Sequence, residues 1–513
     1  MGTGQNKTGV VVAGLLLAIL MASMDNTIVA TAMGTIVGEL GGLDKFVWVT
    51  SAYMVAEMAG MPIFGKLSDM YGRKRFFVFG AIVFMAGSML CGIADTIVEL
   101  SIYRAIQGIG GGALIPIAFT IMLDAVPPES RGKLGGLFGA VFGMSSIFGP
   151  LLGAYITDYI SWHWIFYINL PLGLLSFFLI AFFYKESHEH SKQRIDWAGA
   201  VTLVGAIVCL MFALELGGKQ YAWGSPQILG MFAGFAVLTA AFLFAESRAE
   251  EPIISFSMFR SRLYATSNLI GMLSGAAFIT ASVYIPIFIQ GVLGGSATNS
   301  GLVLLPMMLA SVVTATGGGF LMNKLPYRSI LLPTLVILVG GLALLTTLTP
   351  ETSRLMVTLY MILVGLGIGA SFSVLGNAAI HPFSAKQRGA ASSTLNFLRS
   401  LGMTLGITVF GIIQSHSLTG RLSDAFSAGG GGGAGMPAGL NFSDPHALLD
   451  PAARSGLPAS VLGQIAQALS SSIALTFALA LIPAVLALVT AFLMSREQLD
   501  PAAEGHGAAA ASH

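Results

Sequence analysis

Fourteen stretches of this chain are apolar enough and long enough to cross a bilayer: 10–34, 46–65, 76–95, 98–123, 134–156, 162–184, 197–216, 227–246, 264–290, 299–322, 329–348, 354–376, 391–414 and 471–494. Crossing about 30 Å of hydrocarbon takes about 20 mostly apolar residues. An unpaired backbone amide is costly in lipid, so each stretch is expected to be a helix. Composition agrees. Only 10% of the 513 residues are charged and 55% are hydrophobic, where a soluble chain carries about a quarter charged residues. There is too little polar surface to cover a water-soluble globule of this length. Trp48, Trp162, Trp164, Trp197 and Trp223 stand near the ends of stretches, where amphipathic rings settle. The first stretch follows Lys7 as a signal peptide would. It carries Asp25, lacks a convincing cleavage site and leads into further spans, so it is read as a helix that stays.

The basic residues orient the chain. Of the 25 Lys and Arg, eighteen fall in segments on the side of the N-terminus and five on the other side; Arg104 and Arg399 lie within stretches. The positive-inside rule then puts both termini in the cytoplasm. Residues 415–470 become an extracellular loop. Its run Gly429 to Gly433 reads as a flexible linker; no Gly-Lys-Ser/Thr follows, so it is not a phosphate loop. A short amphipathic helix is expected near 460–470, and a disordered tail over 501–513. His188 and His190 read as part of a solvated loop and not as a metal site. Cys91 and Cys209, each inside an apolar run, read as reduced packing residues. No cofactor is implied, and a net charge of +1 gives no sign of a nucleic-acid partner.

Internal repeats divide the chain. "GKLSDMYGRKR" (65–75) precedes the third stretch, and "GGFLMNKLPYR" (318–328) precedes the eleventh as a decayed copy. "PPESRGKLGG" (127–136) and "PFSAKQRGAASS" (382–393) match as well: Pro, then Arg-Gly, then small residues opening a helix. Nearly equal separations relate the two pairs. The expected organisation is an N-terminal six-helix bundle over 1–190 and two linker helices over 191–260. A C-terminal six-helix bundle over 261–500 carries the loop 415–470. A repeated bundle with its site at the interface is the architecture of secondary transporters.

An ionised group at the bilayer centre costs about 2.5–3.5 kcal/mol on insertion scales, so such residues are functional candidates. Asp25 lies near mid-span. A low-dielectric cavity favours the neutral form of a carboxyl, which suits proton exchange or attraction of a cationic substrate. The plainer reading is a buried ion pair that only holds helices together. Arg104, in "IYRAIQGIGGGALIP", is a permanent cation that helps a neighbouring acid release its proton, or else pairs with it statically. Gln107, one turn on, is placed to orient it. Glu57, midway along the second stretch, is a second proton or cation site, or faces a polar cavity without titrating. Arg399 and Asn396 share a face of the thirteenth stretch and raise the same question. Glu215, near the outer end of the seventh stretch, reads as structural. In the fifth stretch Gly143, Gly149, Pro150 and Gly153 read equally as a hinge and as close packing. Gly65, Asp69, Gly72, Arg73 and Lys74 fix topology, or form an inner-gate latch in which an acid at a helix end meets bases. Residues clustered with metal-ligand spacing and nucleotide-binding loops are missing from the sequence, which argues against an integral-membrane enzyme.

These motifs carry a resemblance. "GKLSDMYGRKR" resembles the loop motif of the major facilitator superfamily, and "YRAIQGIGGG" its fourth-helix motif. "GMSSIFGPLLGA" resembles the Gly-Pro motif of its antiporters. "MDNTIVATAM", "WHWIFYINLPLG" and "SATNSGLVLLP" resemble the fourteen-span drug:proton antiporters of the QacA/EmrB type, with His163 where an Arg is usual. The resemblance implies a major facilitator fold of two six-helix bundles plus two inserted linker helices. It also implies a proton-coupled exporter of lipophilic, often cationic drugs, here taken as monomeric, in a bacterial cell membrane. By position it places Asp25 and Arg104 in proton coupling, Asp69 and Arg73 in the latch, and Gly149 and Pro150 in antiport gating. Glu57 matches no motif. The second-half loop has Asn323 near the place of the acid, so any latch is asymmetric. The substrate cavity is expected among spans 1, 2, 4 and 5 of one half and 9, 10, 12 and 13 of the other. A specific-metabolite exporter and a non-transporting sensor are the alternatives.

Overall fold

A computed structural model describes residues 4–40, 47–126, 131–186, 196–218, 220–295, 297–428 and 458–498. Apolar runs become long helices throughout. The first half holds α1 (Gly4–Leu40), α2 (Val47–Tyr71), α3 (Arg73–Cys91), α4 (Ile97–Ala125), α5 (Arg131–Tyr159) and α6 (Trp164–Phe183), the last with a break at Ile168. Then come α7 (Trp197–Leu216) and α8 (Pro226–Arg248). The second half holds α9 (Arg262–Gly291), α10 (Ala297–Leu321), α11 (Tyr327–Leu345), α12 (Arg354–Ile380), α13 (Arg388–Ala428) and α14 (Ala459–Leu493). Thr96, Ser225, Ser261 and Ser353 cap the starts of α4, α8, α9 and α12 by accepting an otherwise unpaired backbone N–H. Among the described residues the only bridge pairing is an isolated one between Gly217 and Tyr221.

Twelve of these helices are long and apolar enough to cross a membrane. The expectation was fourteen. The second and fifth stretches are helical but fall outside that set. They are the helices α2 and α5, and the twelve are those found among the described residues. Large apolar side chains face outward, with Phe182 71%, Val201 67% and Val237 66% exposed. A surface so apolar needs lipid around it.

The halves pack alike. In the first, α1 touches α4, α5 and α6; α2 and α3 flank α4; α3 meets α6. In the second, α9 touches α12, α13 and α14; α10 and α11 flank α12; α11 meets α14. Glycines set the spacing in both. Gly108 and Gly112 of α4 lie on the backbone of α2 at Tyr53 and Glu57, and Gly110 lies on α3 at Phe84 and Gly80. Gly365 and Gly369 of α12 lie on α10 at Met307 and Ser311, and Gly367 lies on α11 at Leu338. A Cβ at Gly112 would come within 2.5 Å of the Glu57 carbonyl oxygen, and backbone cannot retreat as a side chain can. Small residues at such crossings let helices associate where lipid offers no hydrophobic drive.

The halves meet where α5 lies against α10 and α12, and α13 against α2 and α4. Helices α7 and α8 pair with each other, and α7 leans on α2. There Leu203, Ile207 and Met211 join Val55, Met58 and Met61 in one apolar cluster. The loop expected over 415–470 is shorter than that. Helix α13 continues to Ala428, because 415–428 contains no Pro and only Gly420 as a weak breaker. The short helix expected near 460–470 is the first part of α14. Gly429 to Gly433, the tail 501–513, His188 and His190 lie outside the described residues.

Candidate functional site

Asp25 of α1 and Arg104 of α4 are both fully buried and form an ion pair through Oδ2 and Nη1. A buried charge is tolerated only when paired and hydrogen-bonded, and the surroundings supply the bonds. Asp25 Oδ1 accepts from Gln107 Nε2 at 2.8 Å and from Asn169 Nδ2 at 2.8 Å. Gln107 Oε1 accepts from Arg104 Nη1 at 2.6 Å, so Gln107 bridges acid and base. Ser88 Oγ of α3 accepts from Gln107 at 2.7 Å and from Asn169 at 3.2 Å. Three helices, α1, α4 and α6, thus meet at one carboxylate, and α3 holds its two amide partners through Ser88.

The other side of Arg104 faces α2. Its Nε donates to the Val49 carbonyl at 3.3 Å and its Nη2 to Asn26 Oδ1 at 3.4 Å. The guanidinium lies 4.1 Å from the centre of the Tyr53 ring, a cation–π distance. Glu57 of α2 is buried one turn beyond Tyr53. Glu57 therefore stands at the edge of the cluster and makes no ion pair with Arg104, whose ion-pair partner is Asp25.

Helix α5 sits directly on this part of α1. Thr27 Oγ1 donates to the Met24 carbonyl at 2.9 Å and to the Ser145 carbonyl at 3.1 Å. A Cβ at Gly149 would overlap the Thr27 side chain, and one at Gly153 would lie 2.7 Å from the Ile28 carbonyl oxygen. Pro150 lies between them inside the helix. The Gly-Pro segment thus rides on the residues that follow Asp25, while α5 also touches α10 of the other half.

At the end of α2, Asp69 is held from two sides. Arg73 Nη2 donates to it at 2.9 Å. Across the interface it accepts from the backbone N–H of Gly389 at 3.0 Å and of Ala390 at 2.8 Å, in the first turn of α13. A carboxylate at a helix N-terminus meets unpaired N–H groups and the positive end of the dipole. Gly65, one turn back, lies against Ser393 and the Gly389 carbonyl. Arg73 also pairs with Asp124 at the end of α4, and Asp124 lies 3.8 Å from Arg388. Gly72 turns the chain at φ 112°, where glycine alone is unstrained. Among the described residues Lys74 pairs with no acid; its Nζ donates to the Tyr184 carbonyl at 2.8 Å.

Arg399 and Asn396 are not part of the Asp25 cluster. They line a cavity of about 20 Å³ between the halves, with Ile115 and Phe119 of α4, Phe372 and Gly376 of α12, and Leu395. Among the described residues this cavity is lined from α4, α12 and α13.

Residues 15–407 match the family model described as Major Facilitator Superfamily. The chain belongs to the major facilitator superfamily. Within this superfamily it is 56% identical over 500 residues to Multidrug resistance protein 3 of Bacillus subtilis, covering 98% of each chain. It is 37% identical to the multidrug transporter protein MdtP of the same organism, covering 91% of this chain and 89% of that one. Among solved structures it superposes on the proton:xylose symporter XylE with a TM-score of 0.58 at 13% identity, covering 93% of this chain and 95% of the other. That likeness shows the fold: an all-helical major facilitator protein with many membrane-crossing helices.

Sequence reasoning singled out Asp25, Arg104 and Gln107, which the fold brings together. It missed Asn169, Ser88, Tyr53 and Asn26, which complete the superfamily member's buried cluster. Asn169 was visible only inside "WHWIFYINLPLG". It missed Asp124 too, and it missed that Asp69 reaches the start of α13. The match of the two Arg-Gly loops held a signal, since "RGAASS" opens a helix with exposed N–H groups.

Proposed function

We propose that the chain is a proton-coupled exporter of lipophilic, often cationic compounds, working by alternating access between two six-helix halves. The reading takes fourteen spans with both termini cytoplasmic, α7 and α8 as inserted linkers, and a monomer in a bacterial cell membrane. The observation that carries it is the fully buried Asp25–Arg104 pair with Gln107, Asn169 and Ser88 around it. Protonating Asp25 cancels its attraction for Arg104. The guanidinium then keeps Val49, Asn26 and the Tyr53 ring as partners on the side of α2 and Glu57. Proton occupancy thereby shifts a cation between helices, and α5, seated on Thr27, carries the change toward α10. The relatives' printed names, a multidrug resistance protein and a multidrug transporter, support the substrate class.

The reading is tested by expressing the chain in a host stripped of its own pumps. Resistance to several chemically unrelated lipophilic dyes and drugs is expected. Resistance to none of them, with export of a single cell metabolite, would leave the specific-metabolite exporter in its place.

In the same proposal Asp69 latches the inner gate. Asp69→Asn removes the charge that α13 holds by its first-turn N–H groups, an interaction of about 1 kcal/mol or more. A cysteine placed at Asn396, in a background lacking Cys91 and Cys209, should then react several-fold faster with a membrane-impermeant maleimide applied from the inner side. Unchanged labelling would show that the contact does not gate.

A further inference from the structure

Arg104 and Arg399 are the two arginines inside spans, and they are treated differently by the fold. Arg104 has a carboxylate and three further acceptors. For Arg399 of α13, no carboxylate among the described residues lies within ion-pair distance. One of its N–H groups donates to the Ser371 carbonyl at 3.3 Å, and the guanidinium lies 5.1 Å from the Phe372 ring centre. A guanidinium has five N–H donors. Arg399 lines the cavity between α4, α12 and α13, beside the half-buried Asn396, whose amide N–H donates to the Ser392 carbonyl at 3.0 Å.

An unpaired cation at this depth is expensive, and the cost is recovered when an anion reaches it. Among the described residues no protein acid is placed to do so. The cavity walls are aromatic, with Phe119 from one half and Phe372 from the other. Its volume, about 20 Å³, holds no more than a water, so it receives a larger group only when α4 parts from α12 and α13. We propose that Arg399, flanked by Phe119 and Phe372, is a subsite for the carboxylate of an aromatic amphiphile. This names a substrate class for the exporter and rests on that reading. It adds carboxylate-bearing, including zwitterionic, compounds to the cationic ones. Arg399 selects the carboxylate through a charge-assisted, bidentate contact, and the rings hold the flat body.

The test uses the full chain in lipid nanodiscs and two fluorescent probes, a rhodamine with a free benzoate and its methyl ester. Binding is read by fluorescence polarisation, in chloride and in gluconate. The wild type should bind the acid more tightly than the ester, equally in both salts. Arg399→Met should reduce acid affinity by about tenfold or more, collapsing the acid-over-ester preference, and Arg399→Lys should keep part of it. Equal affinity of the wild type for acid and ester would overturn the proposal. So would a preference that survives Arg399→Met, or displacement of the acid by chloride, which would mark a simple anion site. Should Arg399→Met fail to fold, the wild-type preference and the Arg399→Lys variant decide. If the wild type shows the acid preference yet exports neither dye from vesicles, the exporter reading falls and the subsite stands. Export without the preference has the opposite meaning.

Discussion

Asp25→Asn is expected to abolish dye efflux driven by a pH gradient while leaving the protein folded. The substitution is nearly isosteric. The amide oxygen can still accept from Gln107 and Asn169, which hold Oδ1 at 2.8 Å each. The charge, the exchangeable proton and the acceptor that Oδ2 offers Arg104 are lost, a cost the remaining acceptors of the guanidinium soften. In proteoliposomes with an imposed gradient, accumulation should fall to the level of empty vesicles. Exchange of labelled for unlabelled dye, which needs no net proton movement, should continue. That division separates a lost coupling group from a damaged transporter. Normal gradient-driven efflux by the variant would remove Asp25 from the mechanism.

Arg104→Met is expected to be the most destabilising single change in the cluster. It leaves Asp25 fully buried beside two amides and a hydroxyl, without a countercharge. Breaking a buried pair by removing one partner costs about 3–5 kcal/mol, whereas replacing both partners is often close to neutral. The double variant Asp25→Asn with Arg104→Met should therefore recover most of the loss in a thermal unfolding assay in detergent, and should still not couple transport to protons. Rescue of stability without rescue of coupling is the pattern expected of a functional pair. If the double variant is as unstable as Arg104→Met alone, the two residues are not energetically linked and the proposed switch has no basis.

Much of this was legible in the chain. Long apolar runs must be helices in lipid, so the helices fall where the runs are. Arg and Asp are too costly in hydrocarbon to be incidental, so Asp25 and Arg104 stood out. The neutral polar residues did not. Ser88 and Asn169 cost little to bury once bonded, so nothing in their neighbourhoods marked Asn169 as a partner of Asp25 or Ser88 as the acceptor behind it. The acceptor of the Asp69 contact is a pair of backbone N–H groups, which every residue but proline carries. Only the assembled interface shows which pair is left unbonded at a helix start and within reach. The glycines tell a similar story: Gly108, Gly110 and Gly112 stand together in "IYRAIQGIGGGALIP". The matching spacing of Gly365, Gly367 and Gly369 became readable only when both triplets were seen on equivalent helix crossings. The misjudged end of α13 has a simpler cause. Residues 415–428 are polar, and polarity was read as loop, yet a helix leaving the membrane needs no apolar face to continue.

The account's central claim is exchange of substrate for protons. It is tested most directly with the purified protein in tight vesicles holding a pH-sensitive dye. A substrate gradient is imposed without any pH gradient. The account predicts that substrate moving one way drives protons the other way, that the lumen pH shifts accordingly, and that Asp25→Asn removes the shift. Substrate movement at the wild-type rate with no change in lumen pH would contradict it.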